Sequence, residues 1–305
     1  MSERILFSAQ KNEGPFLLEW VAYHRVIGFS RIVVVSNDCD DGSDVLLDRL
    51  AEAGALEHIR QEVPAGTAPQ ANAERVARDA GVFRNGDWVM WLDADEFLLP
   101  SPPHHSVDDM IAVMGDAAAL MVAWRFFGDN HHKHWPGRHV SPDFTLAAKR
   151  RRGQNAQVKT LFRYGPEIAR LDIHRPILAE GVTRADFPVI TSTGNPADER
   201  FFTPSSRPFN RLVGERRPYI LGQVAHFSIR TPDMYVRKAR RGDGYYADPQ
   251  AVPRTDALYA KRNFNDVPET GLAQRTEATT QEMTRLLNRP GVAAACEAIE
   301  GFRLT

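Results

Sequence analysis

The sequence contains few cysteines and no long apolar segment. Cys39 and Cys296 are its two cysteines. Their wide separation fits neither a disulfide framework nor a zinc knuckle, so a reducing compartment is the simpler interpretation. No segment approaches the ~20 apolar residues that a membrane-spanning helix needs, and residues 1–8 lack the apolar core of a signal peptide. We therefore expect a cytoplasmic protein, with peripheral contact at the inner face of the membrane as an open alternative.

An excess of charge of either sign is also missing. The 38 basic and 39 acidic residues give a formal net charge of -1. This balance argues against a dedicated nucleic-acid-binding protein, because such proteins usually carry a basic surface. The sequence has no internal repeat and no low-complexity tract. Its 305 residues suffice for one large domain, or for a large domain with a small appendage.

Strand-like and helix-like patterns alternate over the first hundred residues. Short apolar runs at 5–9, 31–35, 56–60 and 88–92 are typical of buried strands, and helical spacing occurs at 13–27, from 43 or 44 onward, and at 70–80. This order predicts an α/β fold with a mainly parallel, twisted sheet flanked by helices. Further strands are expected at 119–124, 158–163, 169–174 and 223–227, an irregular excursion at 193–218, and helices at 232–241, 274–287 and 290–300.

Polar side chains follow the predicted strands at the points where the strands end. These groups are Gln10 to Glu13, Asn37 to Asp41, and Asp93-Ala94-Asp95. Parallel sheets bind ligands beyond the carboxyl ends of their strands, so we expect these groups to converge. Two carboxylates one residue apart at a strand exit suit Mg²⁺ or Mn²⁺, which often link protein carboxylates to substrate phosphates. An acidic turn or a helix start, with Glu96 facing the helix dipole, is the open alternative.

Several ordered motifs resemble one known group of enzymes. They are Lys11-Asn12-Glu13 with Leu18-Glu19-Trp20 and Tyr23-His24, then Ser36 to Asp44, Trp91 to Phe97, Phe127-Gly128, and Ala225 to Thr231 with Tyr235, Lys238, Arg241 and Gly242. Together they resemble the family 2-like glycosyltransferases, and in particular the branch related to family 92. The resemblance covers residues 4–245. Phe227 and Thr231 stand where that group usually has Tyr and Ser.

The resemblance implies a GT-A fold and a glycosyltransferase activity. The donor would be a nucleoside diphosphate sugar, with UDP as the expected nucleotide, and the acceptor a glycan or another hydroxyl compound. The implied glycosyltransferase domain covers 1–245, with a nucleotide-binding half at 1–100 and an acceptor-side half at 101–245. Residues 246–305 are then expected to form a C-terminal helical extension.

A site for Mn²⁺ or Mg²⁺ is also implied. Asp95 is the first choice as a direct ligand, and Asp93 is expected to contact the ribose, or the ion directly or through water. His226 is the candidate third ligand, because a neutral imidazole can complete a carboxylate-rich site. The alternative for His226 is a core histidine on a short strand.

The nucleotide is expected to contact a second set of residues: Asn12, Glu13, Asp38, Asp41 and Asp93. A buried carboxylate can accept a hydrogen bond from a uracil N–H and reject bases that lack it. Asp41 is also expected to form a turn and cap the following helix. Lys238 and Arg241 lie in a basic helix that is expected to close over the diphosphate. The alternative is a solvated basic face, or attachment to anionic lipid or an acidic acceptor.

The acceptor side is less clearly marked in the sequence. An inverting transfer needs a general base, and Asp129 after the Phe-Gly pair is our candidate. Asp143, Glu167 and Asp172 are equally available, and no sequence pattern distinguishes Asp129 from them as the general base. Trp135, which ends the segment His131 to Trp135, is expected to line the acceptor cleft and stack on a sugar ring.

Two other functions stay open. A nucleotidyltransferase can use a similar sheet and metal site, but it usually carries a glycine-rich loop after the first strand, and Gln10 to Gly14 lacks that glycine run. A catalytically inactive carbohydrate-binding or scaffold protein of the same fold is the other alternative. Retention of Asp93, Asp95 and His226 together argues against it.

Overall fold

The computed structural model describes residues 2–137, 139–203, 209–215, 218–248 and 250–299. Its helices are α1 (Gly14–Val26), α2 (Ser43–Glu52), α3 (Pro69–Asp79), α4 (Val107–Ala112), α5 (Val140–Asp143), α6 (Pro232–Arg241), α7 (Asp256–Arg262), α8 (Thr276–Leu287) and α9 (Val292–Glu297). Its strands are β1 (Arg4–Gln10), β2 (Arg31–Ser36), β3 (Glu57–Arg60), β4 (Trp88–Trp91), β5 (Glu96–Pro100), β6 (Ala119–Phe126), β7 (Leu146–Ala147), β8 (Val158–Arg163), β9 (Ile168–Leu171), β10 (Pro176–Leu178), β11 (Val189–Thr191), β12 (Gly222–His226) and β13 (Val267–Pro268). Across these residues, no helix has both the length and the apolar character needed to cross a membrane.

A mixed sheet forms the centre of the described structure. Its strand order is β3-β2-β1-β4-β8-β6-β12-β5, with β11 also paired to β6. Strands β1 to β4 pair in parallel, as do β11 and β12 with β6. Strand β8 is antiparallel to both its neighbours, and β5 is antiparallel to β12. The prediction of an α/β fold with a mainly parallel sheet is confirmed, and the antiparallel pairs in this sheet involve β5 or β8.

The central strands bury both of their faces. In β2, Ile32 and Val34 belong to the core that contains α1 and α2, whereas Val33 and Val35 belong to the core that contains α3. Successive side chains of a strand point to opposite faces. A continuous run of β-branched residues therefore fills both cores, as expected for a central parallel strand covered by helices on both sides.

The C-terminal helices pack in the same core as α1. Met283, Leu286 and Cys296 are buried in one apolar cluster with Leu17. This close packing shows that α8 and α9 do not form a core of their own among the described residues. The domain boundary near residue 245 stays a prediction.

Most of the later elements correspond to expected segments. The strands predicted at 119–124, 158–163 and 223–227 are β6, β8 and β12, and the three late helices are α6, α8 and α9. The strand expected at 169–174 is the shorter β9. The alternative that Glu96 begins a helix is wrong, because Glu96 begins β5, whose residues are all buried against β12. Parts of the 193–218 excursion, at 204–208 and 216–217, lie outside the described residues.

Candidate functional site

A cavity of about 630 Å³ lies at the carboxyl ends of β1, β2 and β4. The polar groups predicted after these strands converge there, and residues of β12 and α6 also line the cavity. The predicted site residues in the lining are Glu13, Asp38, Asp93, Asp95, His226, Lys238 and Arg241. Residues far apart in the sequence therefore share one concave site, at the edge of the sheet where parallel α/β folds bind ligands.

Asp95 is the centre of a buried charge cluster in this cavity. Its Oδ2 lies 3.4 Å from His226 Nε2 and accepts a hydrogen bond from Lys238 Nζ. Burial alone would raise the pKa of Asp95, but Lys238 and His226 hold that pKa well below its usual range. Burial lowers the pKa of His226 despite the adjacent carboxylate. The imidazole is therefore neutral at pH 7, which is the form that binds metal ions.

Asp93 is held by a lysine that the sequence analysis did not identify. Lys159 in β8 is completely buried, and its Nζ lies 3.2 Å from Asp93 Oδ2 and 3.0 Å from Glu96 Oε2. Burial opposes a charge on Lys159, but the two carboxylates outweigh burial and raise the pKa of the amine. The available signal was a lysine at the second position of the predicted strand Val158–Arg163.

Helix α6 pairs with carboxylates that follow three different strands. The pairs are Arg237 with Asp41, Lys238 with Asp95, and Arg241 with Glu13. Glu13 also pairs with Arg230 at 3.1 Å. Burial alone would raise the pKa of Glu13, but the charges of Arg241 and Arg230 lower it. The basic face of α6 therefore forms one wall of the cavity and is not simply a solvated surface.

Asn12 and Asp41 lie beside the cavity but are not part of its lining. Asn12 exchanges two hydrogen bonds with Asp40, at 2.5 and 3.0 Å. Asp41 Oδ1 accepts from the backbone N–H of Ser43 at 2.9 Å, at the start of α2. The expected turn at Asp41 is therefore present, whereas direct contact of either residue with a nucleotide is not supported by its position.

Two residues predicted for the acceptor side are placed elsewhere. The carboxylate of Asp129 accepts hydrogen bonds from Tyr259 Oη at 2.8 Å, Asn263 Nδ2 at 2.7 Å and Asn265 Nδ2 at 2.9 Å. It does not line the cavity, so the structure does not bring our candidate base to the other site residues. Trp135 is buried and stacks on Phe144 with ring centroids 5.8 Å apart. The expectation that it stacks on an acceptor sugar is wrong.

Aromatic and basic residues complete the cavity wall. They are Trp124, His174, Tyr245, Tyr246, Arg254 and Arg262. The ring of Trp124 contacts both His226 and His174, with centroids 4.3 and 5.2 Å away. Arg254 and Arg262 were not predicted as site residues, because they belong to no motif. Their position in the cavity depends on how the segment after α6 folds against the rest of the structure.

The protein groups can hold a divalent cation if a ligand supplies further oxygens. Among the described residues, no group of three or more His, Cys, Asp or Glu is arranged to hold a metal ion. Two ligands that each lie ~2.1 Å from one ion are separated by about 3 to 4 Å. The 3.4 Å between Asp95 Oδ2 and His226 Nε2 meets that condition. One or two carboxylates completed by substrate phosphates are the usual arrangement for Mg²⁺.

No protein-family model matches the chain. Over 148 residues, 47% of its length, the chain is 30% identical to a glycosyltransferase family 92 protein of Ricinus communis, of which 26% is covered. It is 28% identical over 146 residues, 46% of its length, to a family 92 protein of Oryza sativa subsp. japonica, of which 24% is covered. The chain resembles the family 92 glycosyltransferases.

The resemblance to family 92 is thus confirmed, although the chain matches only about a quarter of the length of these two relatives. A solved structure with some likeness is S. aureus TarS 1-349 in complex with UDP. It is 14% identical, with a TM-score of 0.31, over 44% of this chain and 38% of that one.

Proposed function

We propose that this chain transfers a sugar from a nucleoside diphosphate sugar, with UDP as the expected nucleotide, to a hydroxyl group of a glycan or another acceptor. The observation that carries the proposal is the convergence of Asp93, Asp95, His226 and Lys238 in one cavity at the carboxyl edge of the parallel strands. The similarity to family 92 glycosyltransferases supports the same activity.

We further propose Mn²⁺ or Mg²⁺ as the cofactor. Asp95 and His226 would hold the ion, with Asp93 contacting it or the ribose, and the donor would supply the remaining oxygens. Such an ion neutralises the charge that develops on a diphosphate leaving group. Lys238 Nζ donates a hydrogen bond to Asp95 Oδ2, so binding of the ion at this oxygen requires the lysine side chain to move away.

The chain's own residues supply the other contacts for a donor. Arg241, Arg254 and Arg262 line the cavity together with Lys238, and preorganised cations of this kind stabilise negative charge on a leaving group. Glu13 and Asp38 lie where the first two strands end. In this proposal they hydrogen-bond the base and the ribose.

Calorimetric titration with UDP tests the donor site. We expect UDP to bind the parent protein in the presence of Mn²⁺, and to bind Asp95→Asn at least about tenfold more weakly, a loss of ~1.4 kcal/mol. Asp116→Asn changes an exposed carboxylate outside the cavity and is the matched control. Absence of UDP binding to the parent would reject the proposal, and equal binding by Asp95→Asn would remove Asp95 from the site.

A manganese titration tests the role of His226. His226→Ala removes one of the two protein ligands, so we expect its affinity for Mn²⁺ to fall relative to the parent. Equal manganese affinity in both proteins would exclude His226 as a ligand. The alternative functions have other signatures: a nucleotidyltransferase would release pyrophosphate from UTP and a sugar phosphate, and an inactive carbohydrate-binding protein would bind no nucleotide.

A further inference from the structure

The carboxylates that line the cavity are engaged by neighbouring groups. Within the described structure, four of them pair with a cation: Glu13 with Arg241, Asp93 with Lys159, Asp95 with Lys238, and Asp243 with Arg254. The fifth, Asp38, accepts a hydrogen bond from Asn37 Nδ2. It follows β2, which is separated from β8 by β1 and β4. Neighbouring strands are ~4.8 Å apart, so the three spacings between β2 and β8 place these strands about 14 Å apart across the sheet.

The imidazole of His174 also lines the cavity. This residue lies in the turn between β9 and β10, and three contacts fix its position. Its backbone N–H donates to Asp172 Oδ1 at 3.3 Å, and its carbonyl accepts from Thr160 Oγ1 at 2.9 Å. Its ring Nδ1 lies 2.9 Å from the carbonyl oxygen of Val158. A carbonyl can only accept a hydrogen bond, so Nδ1 carries the proton and Nε2 keeps a lone pair.

The surroundings keep this lone pair available. Burial, with a further contribution from the charge of Lys159, lowers the pKa of His174 to about 3, so the ring is neutral at pH 7. Within the described structure, Nε2 has no hydrogen-bond partner, and the ring packs against Trp124 in the cavity wall. A diphosphate bound nearby would stabilise a proton on Nε2, because it brings negative charge close to the ring.

We propose that Nε2 of His174 takes the proton from the acceptor hydroxyl group during sugar transfer. This inference rests on the proposed function of the same site. The acceptor oxygen forms a bond to the anomeric carbon, and the bond from that carbon to the diphosphate oxygen breaks, with its electron pair leaving on the diphosphate. The hydroxyl proton moves to Nε2 and is later lost to water. A single displacement of this kind inverts the anomeric configuration.

His174→Asn isolates this role from a purely structural one. The Asn Nδ2–H can replace Nδ1–H as the donor to Val158, but Asn lacks a group that corresponds to Nε2. With UDP-glucose, UDP-galactose or UDP-N-acetylglucosamine as donor and water as acceptor, we expect kcat for donor hydrolysis to fall by ~10²–10⁴-fold. UDP affinity should change less than about threefold, since the base is not a donor contact. His132→Asn, whose ring packs on Phe144 outside the cavity, is the control and should keep the parental rate.

Three results separate the outcomes. A parental kcat in His174→Asn, with UDP binding intact, would overturn the role of His174 and leave the proposed function unaffected. Absence of UDP binding to the parent would reject the proposed function itself. Partial rescue of His174→Asn by added imidazole would support the role. The stereochemistry of the parent protein gives an independent test: proton NMR of the first sugar released should show the inverted anomer, and retention would contradict the proposal.

Discussion

At the scale of single residues, the least expected feature is the buried lysine between two carboxylates. Lys159 is fully buried, as is Glu96, whereas the side chain of Asp93 is 28% exposed at the cavity. Removing one partner from such a cluster leaves an uncompensated buried charge, which is far more costly than an exposed ion pair is beneficial. Lys159 therefore both positions Asp93 and makes the fold depend on this contact.

Burial raises the pKa of Glu96 to about 8, so this acid is mainly protonated at pH 7. Lys159→Met then removes the hydrogen-bond donor that Asp93 and Glu96 share, and it should lower the free energy of unfolding by about 1–3 kcal/mol. Urea denaturation at pH 7 measures this loss. Lys261→Met replaces an exposed lysine on α7 and should change stability by less than about 0.5 kcal/mol. A loss below about 1 kcal/mol in Lys159→Met would show that the cluster is not a significant source of stability.

Motifs in the sequence identified some residues of the cavity, but they did not identify all of them. Asp93, Asp95, His226 and Lys238 lie in ordered motifs, so they could be named before the structure was known, and all of them line the cavity. Lys159 belongs to no motif, and its partners are fixed only when β8 pairs with β4. Asp129 lies outside the cavity, and the sequence gives no indication that Tyr259, Asn263 and Asn265 donate hydrogen bonds to its carboxylate.

At the scale of elements, α6 is the part of the structure that would respond directly to the proposed metal ion. Lys238 occupies Asp95 Oδ2, for which the proposed cation would compete, while Arg237 and Arg241 pair the same helix with Asp41 and Glu13. Burial lowers the pKa of Lys238 to about 8 despite the adjacent carboxylate. The lysine is thus mainly charged at pH 7 and would oppose binding of the proposed ion.

Lys238→Met should raise the affinity for Mn²⁺ in the absence of nucleotide by about tenfold, equivalent to ~1.4 kcal/mol. The physical reason is that Asp95 Oδ2 is no longer occupied by an ammonium group. Electron paramagnetic resonance of free Mn²⁺ gives the affinity, and Arg240→Met on the exposed side of α6 is the matched control. A lower manganese affinity in Lys238→Met would contradict this competition.

Helix α1 contains a histidine that makes stability depend on pH. His24 Nδ1 donates to the carbonyl of Trp20 at 2.8 Å, and its Nε2 accepts from the N–H of Leu98 at 3.3 Å. Both bonds require a neutral ring, and burial lowers its pKa to about 3. The unfolded chain takes up a proton near pH 6.5, whereas the folded protein does not. Stability is therefore complete above pH 6.5 and decreases as the pH falls toward 3.

Between pH 7 and pH 5, His24 alone should cost about 2 kcal/mol of unfolding free energy. His24→Phe keeps an aromatic ring beside Phe97 but does not titrate, so the change in stability over this interval should shrink by about that amount. Urea denaturation at both pH values measures the difference. His105→Phe, at an exposed position, should leave the pH dependence unchanged. The same pH dependence in His24→Phe as in the parent would refute the assignment.

At the scale of the whole molecule, the N-terminal sheet and the last helices share one core. Leu286 in α8 and Cys296 in α9 are fully buried in the cluster that contains Leu17 of α1. The alternation of strands and helices up to residue 92 could be predicted from the sequence, because its apolar runs are regular. The two- and three-residue strands β7, β10, β11 and β13 could not be predicted, because their pairing depends on contacts with other strands more than on local pattern.

Leu286→Ala tests this shared core. The cavity that it creates should lower the free energy of unfolding by about 2–5 kcal/mol, and urea denaturation should still show one transition with coincident fluorescence and circular dichroism. Thr284→Ala, at an exposed position on α8, is the control and should be nearly neutral. Two separate transitions, with only the later one near the parental midpoint, would show that the C-terminal helices fold as an independent extension.

We propose that Asp93, Asp95 and His226 form a donor site for a nucleoside diphosphate sugar. The most direct measurement is release of UDP from a panel of UDP-hexoses in the presence of Mn²⁺, by the parent protein and by Asp95→Asn. We expect saturable release from at least one donor by the parent, and a rate at least about 100-fold lower in Asp95→Asn, since this change weakens charge stabilisation in the transition state. Equal rates in the two proteins, or no release from any donor, would contradict it.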